Sequence, residues 1–363
     1  MKNNIVKSIL WQDGKLFLLD QRKLPGHEEF IEQYSLEDVI DSIRKMIVRG
    51  APAIAISGIY GMCVYLNSVS EKPDYSDFLM KIQNLVESRP TAVNLRLATE
   101  EYLNQFTESY WRESGLDRIR RDSETLANRF FEEDIETNSK IASNGADLFK
   151  DHTGDLNILT HCNTGAIATA GIGTALGVIR FLRDRGFRLT VYVSETRPYH
   201  QGSRLTSWEL GKEGIEHYII TDSMSAFVMN EKKINAVLVG ADRIARNGDT
   251  ANKIGTYSHA IIAGHHSVPF FVAGSRTSFD LSIASGREIP IEMRNSDELT
   301  QNSFLKDSDG KNYIPPGILS PETALALNPS FDVTPSDLIS GIITEMGVIS
   351  PVNETEVKKL LKF

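Results

Sequence analysis

Two short segments of this 363-residue chain place a reactive side chain directly after an apolar run that is typical of a buried β-strand. Cys162 follows the run Leu156–Thr160, and Asp242 follows the run Ala236–Val239. Ligands of open parallel sheets bind beyond the carboxyl ends of the strands, so a thiol and a carboxylate at two such ends can meet in one crevice. The pair therefore predicts acid–base chemistry on a small molecule.

The thiol has a simpler interpretation as well, because a lone cysteine is most often a small buried hydrophobic residue. Cys162 lies next to Asn163 and is followed by a predicted helix, whose N-terminus would lower the pKa of a thiol. Cys63 lies inside the apolar run Ser57–Leu66, and we predict that it belongs to the core.

Asp242 also has two interpretations. A carboxylate after a strand often caps a helix or forms a turn. Alternatively, Asp242 is a general acid whose pKa is raised in a dry pocket. Asn252 and Lys253 open the next predicted helix, Ala251–His265, and a lysine is unfavourable at a helix N-terminus. Lys253 is therefore a candidate to bind an anion, although a solvated lysine is the default.

Two further segments are candidates for phosphate binding. In Arg49-Gly-Ala-Pro52, the backbone N–H groups of Gly50 and Ala51 lie at a predicted helix start, beside the guanidinium of Arg49. Arg89 precedes a proline in a similar segment. Each signal is weak alone, because most arginines are surface charges.

The glycine-rich segment Gly171–Gly177 suggests a dinucleotide site but does not fit one. Its third glycine comes one position late for the dinucleotide motif, and the segment lies inside the predicted helix Ala166–Arg185. We therefore predict no nicotinamide or flavin, and expect these glycines to let the helix pack closely on the sheet.

The order of apolar segments predicts an α/β fold with two domains. Residues 1–145 are predicted to form a small N-terminal domain, with a short antiparallel sheet around an Asp13-Gly14 hairpin and a helical bundle. Residues 146–363 alternate between apolar runs and helical segments, which predicts a Rossmann-like parallel sheet with helices on both faces. The predicted strands are Leu156–Thr160, Leu189–Ser194, His217–Thr221, Ala236–Val239 and Pro269–Val272.

Polar residues also follow the other predicted strands, and we expect them near the same crevice: Glu195, Asp222 and Ser275. Residues 302–320 are predicted to form an exposed loop.

Composition excludes several classes of protein. The 39 Lys and Arg against 48 Asp and Glu give a net charge of −9, which argues against a nucleic-acid partner. Two cysteines do not form a disulfide framework, and a reducing cytoplasm fits best. The longest apolar stretch, Ala51–Leu66, is shorter than the ~20 residues that span a bilayer. We expect no membrane association and interpret the stretch as a buried helix.

Beyond these local signals, the chain resembles the aldose-1-phosphate isomerase family that includes S-methyl-5-thioribose-1-phosphate isomerase. That family is related in fold to the alpha, beta and delta subunits of eukaryotic initiation factor 2B. The matching stretches are Arg49–Gly61, Arg89–Leu95, Thr160–Gly177, Glu195–Leu210, Ile220–Ala226, Val239–Tyr257 and Phe331–Pro335.

The resemblance implies an activity and roles for individual residues. Cys162 and Asp242 would be the catalytic pair in the interconversion of S-methyl-5-thio-α-D-ribose 1-phosphate and S-methyl-5-thio-D-ribulose 1-phosphate in methionine salvage. Asp242 would protonate the ring oxygen, and Cys162 would assist transfer from C2 to C1, as a base or as a wall of the pocket. The resemblance further implies a homodimer without cofactor or metal, and these residues on the sugar phosphate: Arg49, Gly50, Ala51, Arg89, Gln201, Asn252 and Lys253.

Departures from the family pattern leave the group at C5 of the sugar open. Ser203 and Ser207 stand where the family often has alanine, and Gly274–Ser278 lacks the usual proline. A 5-deoxyribose 1-phosphate or ribose 1,5-bisphosphate isomerase is therefore an alternative. A non-catalytic regulatory subunit is an alternative of another class, and the presence of both Cys162 and Asp242 argues against it.

Overall fold

The computed structural model describes residues 5–89, 92–301, 320 and 325–362. Except for Ser320, the loop predicted at 302–320 lies outside these residues. In the part of the chain that is described, no helix combines the length and apolar character needed to cross a membrane.

The chain begins with a three-stranded antiparallel sheet, whose order follows the sequence. Its first two strands form the predicted hairpin: Asp13 and Gly14 have φ values of 51° and 75°. A tight two-residue turn requires such positive values, and the Asp-Gly pair adopts them easily. The strands are β1 (Ile9–Gln12), β2 (Lys15–Leu19) and β3 (Phe30–Gln33).

Six helices follow and share one apolar cluster. They are α1 (Leu36–Arg44), α2 (Ala51–Ser68), α3 (Tyr75–Glu87), α4 (Val93–Gln105), α5 (Glu108–Glu113) and α6 (Leu116–Asp147). Helix α2 is apolar all round and buried along most of its length, between α4 and α6, as expected for a central core helix. Cys63 lies in this core as predicted, and burial raises the pKa of its thiol to about 12.

The rest of the chain contains a large, mostly parallel sheet and a small second one. The strands are β4 (Leu156–Thr160), β5 (Leu189–Ser194), β6 (His217–Ile220), β7 (Ala236–Val239), β8 (Arg243–Ala245), β9 (Thr250–Lys253), β10 (Phe270–Ala273), β11 (Phe279–Asp280), β12 (Phe331–Thr334), β13 (Gly341–Thr344) and β14 (Gly347–Ile349). The large sheet has the order β14-β13-β10-β7-β4-β5-β6, and only β14 is antiparallel to its neighbour. The small sheet has the order β11-β8-β9-β12.

Helices cover both faces of the large sheet. Successive strand residues enter different clusters: Ile158 shares an apolar cluster with Leu176 of the helix Ala175–Asp184, whereas Leu159 shares another with Ala260 of the helix Thr256–His265. This explains why the strands are apolar throughout rather than alternating. The helices are α7 (Ala175–Asp184), α8 (Ser207–Lys212), α9 (Ser225–Glu231), α10 (Thr256–His265), α11 (Asp297–Thr300) and α12 (Glu354–Leu361). The predicted mixed α/β class is confirmed.

Two predicted helices begin later than expected. The segment Ala166–Arg185 is not one helix, because α7 starts at Ala175 and only a short 3₁₀ turn covers Ala166–Ala168. Gly173 explains the break: its φ is +79°, and a Cβ there would lie 2.3 Å from the carbonyl oxygen of Thr164. The first glycines of Gly171–Gly177 therefore form a tight loop, contrary to the prediction.

The second correction concerns Asn252 and Lys253. These residues lie on β9, paired with β8 and β12, and not at a helix start. Helix α10 begins only after Gly255, whose φ of +103° is incompatible with a continuous helix.

The strand order places a topological switch point between β4 and β7. From β4 the chain continues to β5 on one side, and from β7 it continues to β10 on the other. Connections that diverge in this way open a crevice at the carboxyl ends of the two strands. Cys162 follows β4 and Asp242 follows β7, so the two residues flank this crevice. The domain division at 145/146 stays a prediction, since α6 runs across it and contacts both α2 and α7.

Candidate active site

A cavity of about 220 Å³ lies at the switch point. The helices of the first half, the carboxyl ends of the large sheet, and β9 all contribute to its walls. All the residues predicted from the sequence as catalytic or substrate-binding line it: Arg49, Gly50, Ala51, Arg89, Cys162, Gln201, Asp242, Asn252 and Lys253. The fold therefore brings together residues that are up to 204 positions apart (253 − 49).

The N-terminus of α2 forms one wall of the cavity. Gly50 caps the helix with φ +95°, and a Cβ there would lie 2.4 Å from the carbonyl oxygen of Ala168, so only glycine fits. The first turn contains no acidic residue and no side chain caps it. Its free N–H groups and the helix dipole, together with Arg49, form an anion-binding arrangement.

Arg49 is oriented by a buried polar network. Its Nη2 donates to Oδ1 of Asn163, whose Nδ2 in turn donates to Oε1 of Glu209 at 2.7 Å. Glu209 Oε2 accepts from Nη2 of the buried Arg180 at 2.8 Å. The guanidinium of Arg49 is therefore fixed from behind, which leaves its other face for the cavity.

Several buried polar atoms in the cavity wall have no hydrogen-bond partner among the described residues. They are Arg49 Nε, Thr164 Oγ1, Gln201 Oε1 and Ser330 Oγ. An unpaired buried polar group destabilises a protein by about 1–3 kcal/mol. Four of them around one cavity indicate that the site is built for a ligand rich in hydrogen-bonding groups.

Cys162 is buried and 8% exposed, directly beyond β4. Burial raises the pKa of its thiol, and the positive charges of Arg49 and Lys253 only partly oppose this effect. The expected lowering by a helix N-terminus is wrong, because α7 starts well after Cys162.

The carboxyl group of Asp242 faces the cavity, where water can reach it, but protein atoms enclose the cavity around it. This desolvation raises its pKa, although Lys253, Arg49 and Arg89 act in the opposite direction. This direction agrees with the second of the two interpretations of Asp242 from the sequence, a general acid with a raised pKa.

Lys253 and Arg89 supply further positive charge. The Nζ of Lys253 donates to the carbonyl oxygen of Ser330 at 3.0 Å and lies 4.6 Å from the ring centre of Phe331. Burial lowers the pKa of both Lys253 and Arg89, as expected for cations held in a pocket without a full counter-charge.

Sequence reasoning missed one wall of the cavity. Glu292, Arg294 and Glu298 line it from a segment without strong helix or strand signals, and Arg294 Nε donates to Glu298 at 2.9 Å. The available signal was the pair of charged residues, Glu292 and Arg294, that follows Pro290 and Ile291 in the sequence. Ser275 lines the cavity as expected, whereas Glu195 and Asp222 do not.

Among the described residues, one group of side chains has donor atoms close enough together to bind a metal: His161, His259 and Asp222, whose ligand atoms lie within 4.8 Å of one another. Their lone pairs are already used. His161 Nε2 faces the carbonyl oxygen of Ile254 at 2.9 Å and must donate, so its Nδ1 accepts from His259 Nε2 at 3.1 Å. His259 Nδ1 then accepts from Ser225 Oγ at 2.7 Å. We therefore interpret the group as a hydrogen-bonded support.

Comparison with known proteins identifies the family. The model of the "Initiation factor 2 subunit family" matches residues 47–351. The chain belongs to this family. The match covers the cavity residues of both halves, and it confirms the resemblance inferred from the sequence.

Within the family, a methylthioribose-1-phosphate isomerase of Leptospira interrogans serogroup Icterohaemorrhagiae serovar copenhageni is 54% identical, and the alignment covers 100% of both chains. A crystal structure of 5-methylthioribose 1-phosphate isomerase from Pyrococcus horikoshii OT3 has a TM-score of 0.85 and 35% identity, over 98% of this chain and 96% of that one. A structure described as translation initiation factor eIF-2B, subunit delta, from A. fulgidus has a TM-score of 0.83 and 39% identity, over 99% and 100%.

Proposed function

We propose that the protein interconverts S-methyl-5-thio-α-D-ribose 1-phosphate and S-methyl-5-thio-D-ribulose 1-phosphate, a step of methionine salvage. The observation that carries the proposal is the meeting of Asp242, a carboxyl group with a raised pKa, and an anion-binding helix N-terminus in one cavity. The full-length likeness to isomerases of this name supports the same substrate.

The proposed roles follow from the structure of the substrate. Phosphate occupies the anomeric oxygen, so the ring cannot open by loss of a hydroxyl proton. Asp242 therefore donates a proton to the ring oxygen, the bond from that oxygen to C1 breaks, and positive charge develops at C1. Arg49, the N–H groups of Gly50 and Ala51, and Lys253 hold the phosphate during this step. Arg89, Gln201 and Asn252 complete the proposed contacts with the sugar phosphate.

Two routes complete the isomerisation. In a hydride shift, hydrogen moves with its electron pair from C2 to C1, and the C2 hydroxyl then loses its proton to give the ketone. In a proton-transfer route, a base removes the C2 proton and C1 is reprotonated. Because burial raises the pKa of Cys162, its thiolate is disfavoured, and we favour the first route, with Cys162 as a wall of the pocket.

The substrate test compares three sugars that differ only at C5. We expect turnover of methylthioribose 1-phosphate in buffer with EDTA, and at least about tenfold lower kcat/KM for the 5-deoxy compound, which lacks an apolar group to bury. Ribose 1,5-bisphosphate is the third substrate. A preference for either alternative sugar would reassign the substrate. Binding of methylthioribose 1-phosphate without turnover of any of the three would favour the non-catalytic alternative.

We further propose that the protein is a homodimer that associates through the β6 edge of the large sheet. Strand β6 is the last in the order, and Tyr218 and Ile219 on it are exposed. Exposed apolar side chains continue on the next helices, with Phe227 on α9 at 64% exposure and Ile261 on α10. Apolar residues on an open sheet edge indicate an association surface, because they would otherwise promote aggregation.

The dimer proposal predicts that Phe227→Asp yields a monomer, because a charge in an apolar interface is strongly unfavourable. Sedimentation velocity at micromolar concentration measures the change. Met80→Asp, on the exposed face of α3, is the matched control and should sediment as the wild type does. A monomeric wild-type protein would contradict the proposal.

The detailed topology of the large sheet and the cellular location of the protein also remain proposals. We propose that the large sheet is Rossmann-like, because its strands, numbered along the chain, have the order 3-2-1-4-5-6 with a seventh at the edge.

We propose a cytoplasmic location, supported by two cysteines that form no disulfide, Cys63 and Cys162.

A further inference from the structure

The backbone of Cys162 adopts an unusual conformation that two side chains hold. Its φ is +63°, in the left-handed region that residues other than glycine rarely adopt. The Cys162 N–H donates to Oγ1 of Thr196 at 2.9 Å, and its carbonyl oxygen accepts from Oγ1 of Thr206 at 2.6 Å. Both polar backbone groups of Cys162 are therefore bound by threonine hydroxyls from other segments.

Thr196 is itself held in an unfavourable conformation. Its φ is +64°, which is rare for a β-branched residue. The carboxylate of Asp222 fixes this turn, since Oδ1 accepts from the N–H of Thr196 and Oδ2 from the N–H of Arg197, both at 2.8 Å. The hydroxyl of Thr196 donates to the carbonyl oxygen of Ser194 at 2.9 Å, which leaves its lone pairs for Cys162.

Asp222 is a firm anchor for this turn. Its partial burial acts to raise its pKa, but the hydrogen bond from Ser194, the neighbouring His161, and the hydrogen bonds from Arg197 and Thr196 together lower the pKa. The carboxylate is therefore ionised at neutral pH. Charge-assisted hydrogen bonds of this kind are roughly twice as strong as neutral ones.

Thr206 links the backbone of Cys162 to the phosphate-binding side of the cavity. It ends a π-helical turn, Gly202–Thr206, and such turns occur often at functional sites. Besides binding the carbonyl oxygen of Cys162, its Oγ1 accepts from Nδ2 of Asn163 at 3.3 Å. Asn163 is the residue that orients Arg49.

These threonines are completely buried, and neither they nor Asp222 line the cavity. They therefore cannot contact a ligand there, and the cavity residue that both threonines bind is Cys162. We propose that Asp222, Thr196 and Thr206 are positioning residues, which hold the Cys162 thiol at the orientation that the reaction requires. This inference rests on the proposed isomerase function.

The test changes one group of the Thr196 side chain at a time, either the hydroxyl or the methyl group. Thr196→Val removes the hydroxyl with little change in shape, and Thr196→Ser keeps it. A misplacement of about 1 Å at a reacting centre can lower the rate by about 100-fold. We expect kcat of Thr196→Val to fall about 10- to 100-fold with little change in KM, and Thr196→Ser to restore most of it.

Thr160→Val is the matched control. Thr160 is also fully buried, and its Oγ1 donates to the carbonyl oxygen of Leu238 at 2.8 Å, but it bonds neither to Cys162 nor to Thr196. Its kcat should stay near the wild-type value at a temperature where circular dichroism shows all variants folded. A fall in kcat for Thr160→Val equal to that for Thr196→Val would overturn the proposal.

A second measurement does not depend on the isomerase assay. The rate at which iodoacetamide alkylates Cys162, followed by peptide mass spectrometry, should rise several-fold in Thr196→Val and Asp222→Asn, because the thiol is no longer held in its buried orientation. It should be unchanged in Thr196→Ser and Thr160→Val. If the wild type turns over no substrate, the proposed function fails, while the alkylation rates still decide whether Cys162 is positioned this way. Equal rates in all variants would refute the positioning role.

Discussion

Asp242→Asn is expected to lower kcat by about 10²- to 10⁴-fold, the range that a general acid supplies. The amide has nearly the same shape as the carboxyl group but has no acidic proton to give to the ring oxygen. The measurement is the initial rate of ketose formation at saturating methylthioribose 1-phosphate. KM should change less than kcat, because the phosphate contacts remain.

The same variant should be at least as stable as the wild type at neutral pH. The folded-state pKa of Asp242 is raised, so its ionisation destabilises the fold progressively as pH rises from the ordinary aspartate pKa through the raised one. Asparagine cannot ionise and removes this penalty. Loss of activity with retained or higher melting temperature would therefore separate chemistry from folding.

The pH profile gives a further check on the acid. A raised pKa keeps Asp242 protonated to higher pH than an ordinary aspartate, so activity should fall only as pH rises beyond that raised value. Asp337→Asn, which changes an exposed carboxylate away from the cavity, is the control and should leave rate and profile unchanged. Full activity in Asp242→Asn would contradict the assigned mechanism.

Cys162→Ser is expected to lower kcat by about 10²-fold or more, because Cys162 excludes water from the part of the cavity where C1 and C2 react. A hydroxyl binds water and forms stronger hydrogen bonds than a thiol, which changes the surroundings of C1 and C2. Cys63→Ser is the matched control. Cys63 also forms no disulfide and is also buried, but it lies in the helical core, away from the cavity. Wild-type kcat in Cys162→Ser would show that the thiol has no part in the reaction.

Isotope incorporation separates the two routes. In ²H₂O, a hydride shift carries the C2 hydrogen directly to C1 and leaves the product free of carbon-bound deuterium, whereas proton transfer through a base exchanges it with solvent. The raised pKa of Cys162 leads us to expect no incorporation at C1. Substantial incorporation would instead assign the thiol, or another group in the cavity, as a base.

The site was predictable from sequence where local signals determine position. Cys162 and Asp242 follow short, largely apolar runs that favour buried strands, and parallel strands place their carboxyl ends at the same edge of a sheet. The start of α2 was predictable because Gly50 and Pro52 mark it. These predictions needed only the order of apolar and polar residues.

Other features depend on contacts that are distant in sequence. Strand β9 is four residues long, and its pairing with β12 joins Lys253 to Phe331, so the local pattern alone suggested a helix start. Gly173, where the predicted helix is broken, lies so close to the backbone of Thr164 that a Cβ would collide with its carbonyl oxygen, and the next N–H, of Thr174, donates to that oxygen at 2.9 Å. No periodic sequence pattern marks Glu292 and Arg294, because these residues reach the cavity only through packing of their segment against the rest of the site.

The buried network behind Arg49 has a consequence for how this chain can vary. Arg180 lies between Glu209 and Glu213, and all three side chains are almost completely excluded from solvent. Replacing Arg180 alone would leave two carboxylates in the interior without their shared buried counter-charge, and breaking a buried ion pair in this way destabilises proteins by about 3–5 kcal/mol. We therefore expect a replacement of Arg180 to require compensating changes at Glu209 and Glu213, and any change at Glu209 to require a new acceptor for Nδ2 of Asn163 and the N–H of Ala166 as well. The substitutions that one of these positions accepts therefore depend on the residues present at the other two.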